Sequence, residues 1–493
     1  MLDVSRADLT AGVAGAGTMG RGIAQVLAQG GARTLLFDAQ PGAAAKAKDA
    51  IAQALVKLVE KGKSTEAETK ALLSRIEVVP SLDAFAPCHV VVEAIIEDLS
   101  AKQALFTSLE KIVGEKSVLA SNTSSLSVTA MAAACKRPGR VAGYHFFNPV
   151  PVLKIVEVVG GVRTEPWATD ALTALAKRFG HTPVRCKDTP GFIVNHAGRA
   201  FVPEALRVLS EGVADFATID RILIDAAGFR IGPFGLMDLV GLDVNHAVMK
   251  SMYQQYFEEP KYKPSFLVEA RVAAGLLGRK TGRGWYEYKE GSAVAIPEER
   301  FSSRLPEAVW FVPELKDLFS KFKVRNDRNG ICFVAPLGND ATTEALKHGL
   351  DPSRTVAIDP LFGFSKRRTL MVNPVTTKEV RDAAHALLAS DGTPVSMIND
   401  SPGFIAQRIV AHIVNVGCDI MQMRICSPED LDRAVMLGLG YPKGPLGFGD
   451  ALGAQRVLTI LENMHDFFDE PRYRPSPWLK RRAKLGVSLL TPE

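Results

Sequence analysis

The stretch Thr10-Ala11-Gly12-Val13-Ala14-Gly15-Ala16-Gly17-Thr18-Met19-Gly20 passes from an apolar strand into a glycine-rich turn, and residues 21–29 continue as a helix. Strand, G-x-G-x-x-G turn and helix in immediate succession are how a dinucleotide-binding βαβ unit opens. Gly15 permits the tight turn, Gly17 lets a pyrophosphate approach the backbone, and Gly20 lets helix and strand pack closely. The helix start, with Thr18 and Met19 in its first turn, offers amide hydrogens and a positive dipole end to phosphate. The next strand-like run closes in Leu35-Leu36-Phe37-Asp38, and Asp38 lies 18 residues beyond Gly20. A carboxylate there accepts hydrogen bonds from a free ribose 2′-hydroxyl and repels a 2′-phosphate, which favours NAD over NADP.

Outward from this loop, strand-like runs recur at 10–14, 34–38, 76–79, 89–94, 117–121, 140–145, 154–159 and 183–186. Ala-, Lys- and Leu-rich helical stretches such as 43–62 and 99–114 separate several of them. Strands alternating with helices predict a Rossmann-like, doubly wound, largely parallel sheet. The last runs leave no room for long helices, so part of the sheet is expected to be antiparallel. Beyond Asp188-Thr189-Pro190-Gly191 the texture turns helical, over 192–212, 218–227, 238–257 and 266–274, closing in a Gly-rich turn and an aromatic strand or tail at 278–288.

An internal repeat organises the remainder. Asp188-Thr189-Pro190-Gly191-Phe192-Ile193 recurs as Asp400-Ser401-Pro402-Gly403-Phe404-Ile405, and Gly232-Pro233-Phe234-Gly235 as Gly444-Pro445-Leu446-Gly447. Phe257-Glu258-Glu259-Pro260-Lys261-Tyr262 recurs as Phe468-Asp469-Glu470-Pro471-Arg472-Tyr473, and the offset is 211 or 212 residues throughout. The all-α domain is therefore duplicated. Three short strands at 331–335, 355–358 and 369–372 precede the second copy, like a truncated α/β segment without a glycine loop; a linker is expected at 297–313. The expected domains are 1–187, 188–290, 291–395 and 396–493.

The bulk numbers exclude several classes. At 493 residues the chain exceeds one compact core. A net charge of +5 is too weak for nucleic acid but suits an acidic, phosphorylated ligand. The six cysteines are scattered without a CxxC pair, so neither a disulfide framework nor a metal site is signalled. The first ten residues lack the apolar core of a signal peptide, and no run approaches the ~20 apolar residues of a membrane span. A cytoplasmic location is expected.

Oxidising a secondary alcohol requires a base for the hydroxyl proton and donors around the developing carbonyl oxygen. His145 ends a strand at the edge where open α/β sheets bind ligands, and Glu157 lies in the next strand-like run. The two can meet across adjacent strands, with the carboxylate orienting the imidazole; a packed structural histidine is the competing reading. Ser121-Asn122-Thr123-Ser124-Ser125 follows another strand, as ligand contacts or as a helix N-cap. Asn195, polar in an apolar helix start, either satisfies a structural need or holds a substrate carbonyl.

Together, Gly15-Ala16-Gly17-Thr18-Met19-Gly20, Val92-Glu93-Ala94, Ser121-Asn122-Thr123-Ser124-Ser125, His145-Phe146-Phe147-Asn148-Pro149 and Asp188-Thr189-Pro190-Gly191-Phe192 resemble the L-3-hydroxyacyl-CoA dehydrogenase family, including its 3-hydroxybutyryl-CoA dehydrogenases. The resemblance covers residues 8–288. It implies NAD-dependent oxidation of an (S)-3-hydroxyacyl-CoA to the 3-oxoacyl-CoA. It implies His145 and Glu157 as the catalytic pair, Ser124 and Asn195 as substrate contacts, and Asp38, Glu97, Lys102, Ser124, Asn148 and Lys280 as cofactor contacts. Lys61 fits a coenzyme A contact, alongside Ser124, while Ala54 replaces a serine usual in the family. The duplicated tail resembles the long bacterial subtype of phenylacetate breakdown, which acts on 3-hydroxyadipyl-CoA.

The family dimerises through its helical domain, so the duplicate is expected to supply that surface as a pseudo-dimer within the chain, with a homodimer left open. Gln407 stands in place of Asn195. Counting by the repeat offset, Val356 or Ala357 replaces His145 and Arg368 or Thr369 replaces Glu157, so one active site per chain is expected. With the glycine loop at Gly15, no hydratase segment precedes it, and a fused multifunctional protein is not expected. Two rival readings remain: a β-hydroxyacid dehydrogenase that uses a lysine and turns over free acids, and a non-catalytic NAD-binding protein indifferent to loss of His145.

Overall fold

β1 (Thr10–Ala14) is buried along its whole length, and the computed structural model, which describes residues 3–299 and 304–493, places it inside an eight-stranded sheet. The order is β3-β2-β1-β4-β5-β6-β7-β8, with β2 Arg33–Phe37, β3 Ile76–Val78, β4 Val90–Glu93, β5 Val118–Ser121, β6 Val141–Phe146, β7 Ile155–Gly160 and β8 Thr182–Lys187. Central strands such as β1 and β4 are buried throughout because helices cover both faces of a parallel sheet. α1 (Thr18–Gln29) and the helix Pro166–Arg178 bury their apolar stripes against one such face. Chain order reverses on either side of β1, which opens a crevice at the carboxyl ends of β1 and β4. As expected, part of the sheet is antiparallel, and the reversal falls between β6 and β7.

The described residues form two compact units. The first comprises residues 3–196 and Arg424–Leu439; the second comprises 197–299, 304–423 and 440–493. Two expected long helices are broken. The run over 192–212 divides into Val194–Ala197, a 3-10 turn at Gly198–Ala200, and Val202–Ser210. Pro203 cannot donate to the preceding turn, which ends the helix there. The run over 238–257 divides at Gly241, whose φ of +102° no helix accommodates, into Pro233–Val240 and Leu242–Gln255. The 278–288 tail ends in a two-stranded hairpin, Tyr288–Lys289 with Ser292–Ala293.

The second unit holds a six-stranded sheet rather than three strands. Ala308–Phe311, within the expected linker, pairs with Ile331–Val334, and Arg325–Asn326 and Val395–Asn399 occupy the edges. Residues 300–303 of that linker, and residues 1–2 of the chain, lie outside the described residues. The repeat is preserved in the backbone: Phe192 and Phe404 both have φ near +50°, each after a positive-φ glycine.

The sheet register corrects the counterpart of His145. In the first sheet His145 faces Glu157. In the second, Ala357 faces Met371 and Ile358 faces Leu370, so Asp359, whose amide donates to the Thr369 carbonyl, is the next opposed pair. Asp359, not Val356 or Ala357, therefore stands where His145 stands, opposite Thr369. The hairpin between these strands is two residues shorter, which a constant offset does not register. Gln407 donates to Asp359 (2.9 Å) and to the Pro336 carbonyl, and accepts from the Gly338 amide, so these groups satisfy one another.

The helical copies pack reciprocally within the second unit. Lys261, in the Pro260–Tyr262 turn of the first copy, pairs with Asp419 of helix Ala406–Gln422 in the second. Its repeat equivalent Arg472 pairs with Glu204 of helix Val202–Ser210 in the first, at 2.8 Å. Asp419 lies one helical turn beyond the repeat position of Glu204, so the two ion pairs are near, not exact, equivalents. Among the described residues, no helix is long and apolar enough to cross a membrane.

Candidate active site

Three glycines shape the crevice. Gly15 has φ of +106°, and a Cβ on it would lie 2.4 Å from the Ala94 carbonyl oxygen. A Cβ on Gly20 would lie 1.8 Å from the Gly15 carbonyl oxygen, so helix and loop meet only through glycine. A Cβ on Gly17 would meet nothing within 4 Å, which leaves open space above the backbone. Gly17 is also the N-cap of α1 and has no side chain to cap it, so the first-turn amides, those of Thr18 and Met19 included, face that space. Asp38 follows β2 beside the loop: its carboxylate accepts from the Ala16 amide (2.7 Å) and the Gln40 amide (2.8 Å). This donor set and clearance fit a dinucleotide diphosphate with a ribose diol next to it.

On the far side of the switch point, Glu93 ends β4 fully buried. It accepts from the Lys102 ammonium (2.6 Å), the Ser121 hydroxyl (2.5 Å) and the Ile95 amide (2.7 Å). Lys102, equally buried, also reaches Glu97 at 3.1 Å. One Glu97 oxygen gathers the Thr123 hydroxyl (2.7 Å) and the Ser124 and Ser125 amides (3.0 and 3.1 Å). Burial pushes the Glu97 carboxyl up, but the Thr123 bond and the Lys102 charge outweigh it and hold the carboxyl below its usual range. Asn122 accepts from the Phe146 amide, which ties the serine-rich turn to the end of β6. The N-cap alternative for residues 121–125 falls to Ser127, which caps Val128–Ala132.

His145 Nδ1 lies 2.5 Å from Glu157 Oε2, both buried, through the β6–β7 register. The other Glu157 oxygen accepts from the Ile193 and Val194 amides, each at 2.9 Å. The Phe147 and Phe192 rings flank the imidazole, with centroids at 4.5 and 5.8 Å. Asn195 donates to the Ser124 carbonyl at 3.4 Å, so helix and serine turn meet here.

His145, Glu157, Ser124, Asn195, Asp38, Glu97 and Lys102 thus all lie in the first unit. Asn148 is exposed just beyond β6, and Lys61 is exposed at the end of α2 (Ala43–Glu60). Lys280 belongs to the second unit, where its ammonium pairs with Asp243 at 2.6 Å. Sequence reasoning missed Glu93 and Asn122 as organisers; a carboxylate closing the apolar run Val90-Val91-Val92-Glu93 was the available signal, since a buried charge needs partners.

The family model for the 3-hydroxyacyl-CoA dehydrogenase NAD-binding domain matches residues 10–189, and that for the C-terminal domain matches twice, at 191–288 and 403–488. A 3-hydroxyadipyl-CoA dehydrogenase of Escherichia coli K12 is 39% identical over 480 residues, covering 97% of this chain and 98% of its own. A 3-hydroxybutyryl-CoA dehydrogenase of Clostridioides difficile is 38% identical over 278 residues, covering 56% of this chain and 99% of its own. A solved 3-hydroxybutyryl-CoA dehydrogenase from Escherichia coli K12 superposes with a TM-score of 0.87 at 37% identity, covering 97% of this chain and 98% of its own. The chain belongs to the 3-hydroxyacyl-CoA dehydrogenase family, NAD-dependent oxidoreductases of which it is a long form carrying a second C-terminal domain.

Proposed function

We propose that the chain oxidises 3-hydroxyadipyl-CoA in preference to 3-hydroxybutyryl-CoA, with His145 as the base. The 2.5 Å bond from His145 to a carboxylate whose second oxygen is held by two backbone amides carries the catalytic part of this reading. Glu157 keeps the Nδ1 proton in place, so Nε2 is left to accept the substrate hydroxyl proton, and it stabilises the imidazolium that results. The Ser124 hydroxyl holds the reacting oxygen and Asn195 the thioester carbonyl, with Ser124 and Lys61 also meeting coenzyme A. Gly15, Gly17, Thr18, Met19, Gly20, Asp38, Glu97, Lys102 and Asn148 hold NAD. NAD, when bound, supplies the hydride acceptor. The six free cysteines support a cytoplasmic setting.

The bond pattern at Asp38 supports its role as the ribose acceptor. In Asp38→Ala the charged hydrogen bonds to the 2′-hydroxyl, worth about 1.5–3 kcal/mol, disappear along with the repulsion of a 2′-phosphate. The expected result is a fall of roughly 10- to 150-fold in kcat/KM for NAD and a gain for NADP, read from initial rates with each. An unchanged NAD preference would remove Asp38 from the site.

The substrate preference rests on the full-length relative being named for the adipyl thioester, although the similar solved structure is named for the butyryl one. That relative matches the whole chain, second copy included, and the diacid makes a chemical demand of its own. Its terminal carboxylate requires a cation if it leaves water. Wild-type kcat/KM is expected to be higher for 3-hydroxyadipyl-CoA than for 3-hydroxybutyryl-CoA, read from initial rates with each thioester. Equal values for the two thioesters would refute the preference.

A further inference from the structure

Cys186, near the end of β8, and Cys426, just ahead of helix Pro428–Leu439, face each other as an isolated antiparallel pair within the first unit. The Lys187 amide donates to the Ile425 carbonyl at 2.9 Å, one residue along each strand. That bond makes 186 and 426 a non-hydrogen-bonded pair, the kind whose Cα atoms sit about 4.5 Å apart with side chains on one face. A disulfide spans Cα separations of roughly 4.4–6.8 Å. The segment is held at two further points. The Arg185 amide donates to Asp430 at 3.1 Å, and Gly438 sits so close to Val194 that a Cβ there would lie 3.0 Å from Val194 Cγ2.

We propose that Cys186 and Cys426 are an oxidative modification site, closing to a reversible disulfide that staples residues 424–439 to β8. With hydrogen peroxide as oxidant, one thiol ionises and its thiolate attacks a peroxide oxygen; the O–O bond breaks, a sulfenic acid forms, and the departing hydroxide takes up the released proton as water. The second thiol attacks that sulfur, the S–S bond forms and a second water leaves, so two thiols are oxidised by two electrons and one peroxide is reduced. A pocket of about 280 Å³ whose walls include Cys186, Arg185, Lys187 and Ile425 gives a small oxidant its path. Burial pushes both thiols well up, so the reaction is slow near neutrality and accelerates toward alkaline pH. The staple lies behind the candidate catalytic carboxylate: Glu157 pairs with Val184 of the same strand, and Val194, whose amide Glu157 holds, touches Gly438.

The test uses the reduced full-length protein treated with peroxide at pH 8.5, digested without reductant and analysed by mass spectrometry. The expected product is a peptide joining Cys186 to Cys426, two hydrogens lighter than its reduced parts and dissolved by dithiothreitol. Oxidised wild type is expected to unfold several degrees higher than reduced wild type, because the bridge closes a long loop, whereas Cys426→Ala shows no such rise. Either cysteine found paired elsewhere, driven to sulfinic acid, or still a free thiol after other cysteines have reacted overturns the proposal. The mass readout is made on wild type, so it stands even if a variant folds poorly.

Discussion

Glu157→Gln is expected to lower kcat on the order of 10³- to 10⁴-fold while leaving KM within a few fold. One Glu157 oxygen accepts two backbone amides, from Ile193 and Val194, and only an oxygen can do so. In the glutamine variant the amide oxygen is therefore held on that side, and its NH₂ turns toward His145 Nδ1. An NH₂ donor there forces Nδ1 to be the acceptor and moves the ring proton to Nε2, the nitrogen that must receive the substrate proton. The imidazole stays in place in the wrong tautomer. His145→Gln removes the base altogether, and a loss of 10²- to 10⁴-fold is expected, the range general-base catalysis supplies. Titrating NADH binding by fluorescence checks that both variants keep the cofactor site. A Glu157→Gln protein with more than a tenth of wild-type kcat would show that the pair is structural, which is the competing reading of a buried histidine.

How much of this site could be read beforehand follows from the range of the interactions. The glycine loop and Asp38 are legible because a turn, a helix start and one strand end are local, and their chemistry is written within thirty residues. The meeting of His145 and Glu157 needed only the assumption that consecutive strands pair, which holds at β6 and β7. The helix breaks at Pro203 and Gly241 were visible as residue types, yet the apolar periodicity on either side masked them. Asp359 was missed because repeat arithmetic assumes equal loops. The Cys186–Cys426 pair and the close approach of Gly438 to Val194 were out of reach: they join residues more than two hundred positions apart, and nothing in the local composition of either segment signals the other. Glu204 belongs with them. Its helix reads as amphipathic, and a carboxylate in its buried face is intelligible only once the second copy provides the cations.

That carboxylate is where removing one side chain is expected to cost the most stability. Glu204 is fully buried, with Arg408 Nε at 2.6 Å, the Tyr473 hydroxyl at 2.7 Å and Arg472 at 2.8 Å. Burial alone pushes its carboxyl up, but Arg408 and Arg472 outweigh that and hold it well below the usual carboxylate range. Glu204→Ala leaves two buried guanidinium groups, Arg408 with Glu211 and Arg472 with the Pro260 carbonyl and the more distant Glu470 (3.7 Å), and removing the central carboxylate from such a cluster costs about 3–5 kcal/mol. The expected result is a fall in Tm of roughly 10 °C in calorimetry at pH 7.5. Acid should destabilise wild type by two routes, of which only the first operates above pH 4.5. His412, in the same core, is pushed by burial down to about 3, so between there and its ordinary 6.5 the unfolded chain binds a proton the folded chain does not, and stability falls as pH drops through that range. Glu204, depressed when folded, contributes stability that is complete above 4.5 and declines only below it. His412→Phe should therefore flatten Tm between pH 7 and 5, whereas Glu204→Ala should keep that slope while losing its share below pH 4.5. A Glu204→Ala protein as stable as wild type at pH 7.5 would mean that the reciprocal packing of the two helical copies does not depend on this cluster.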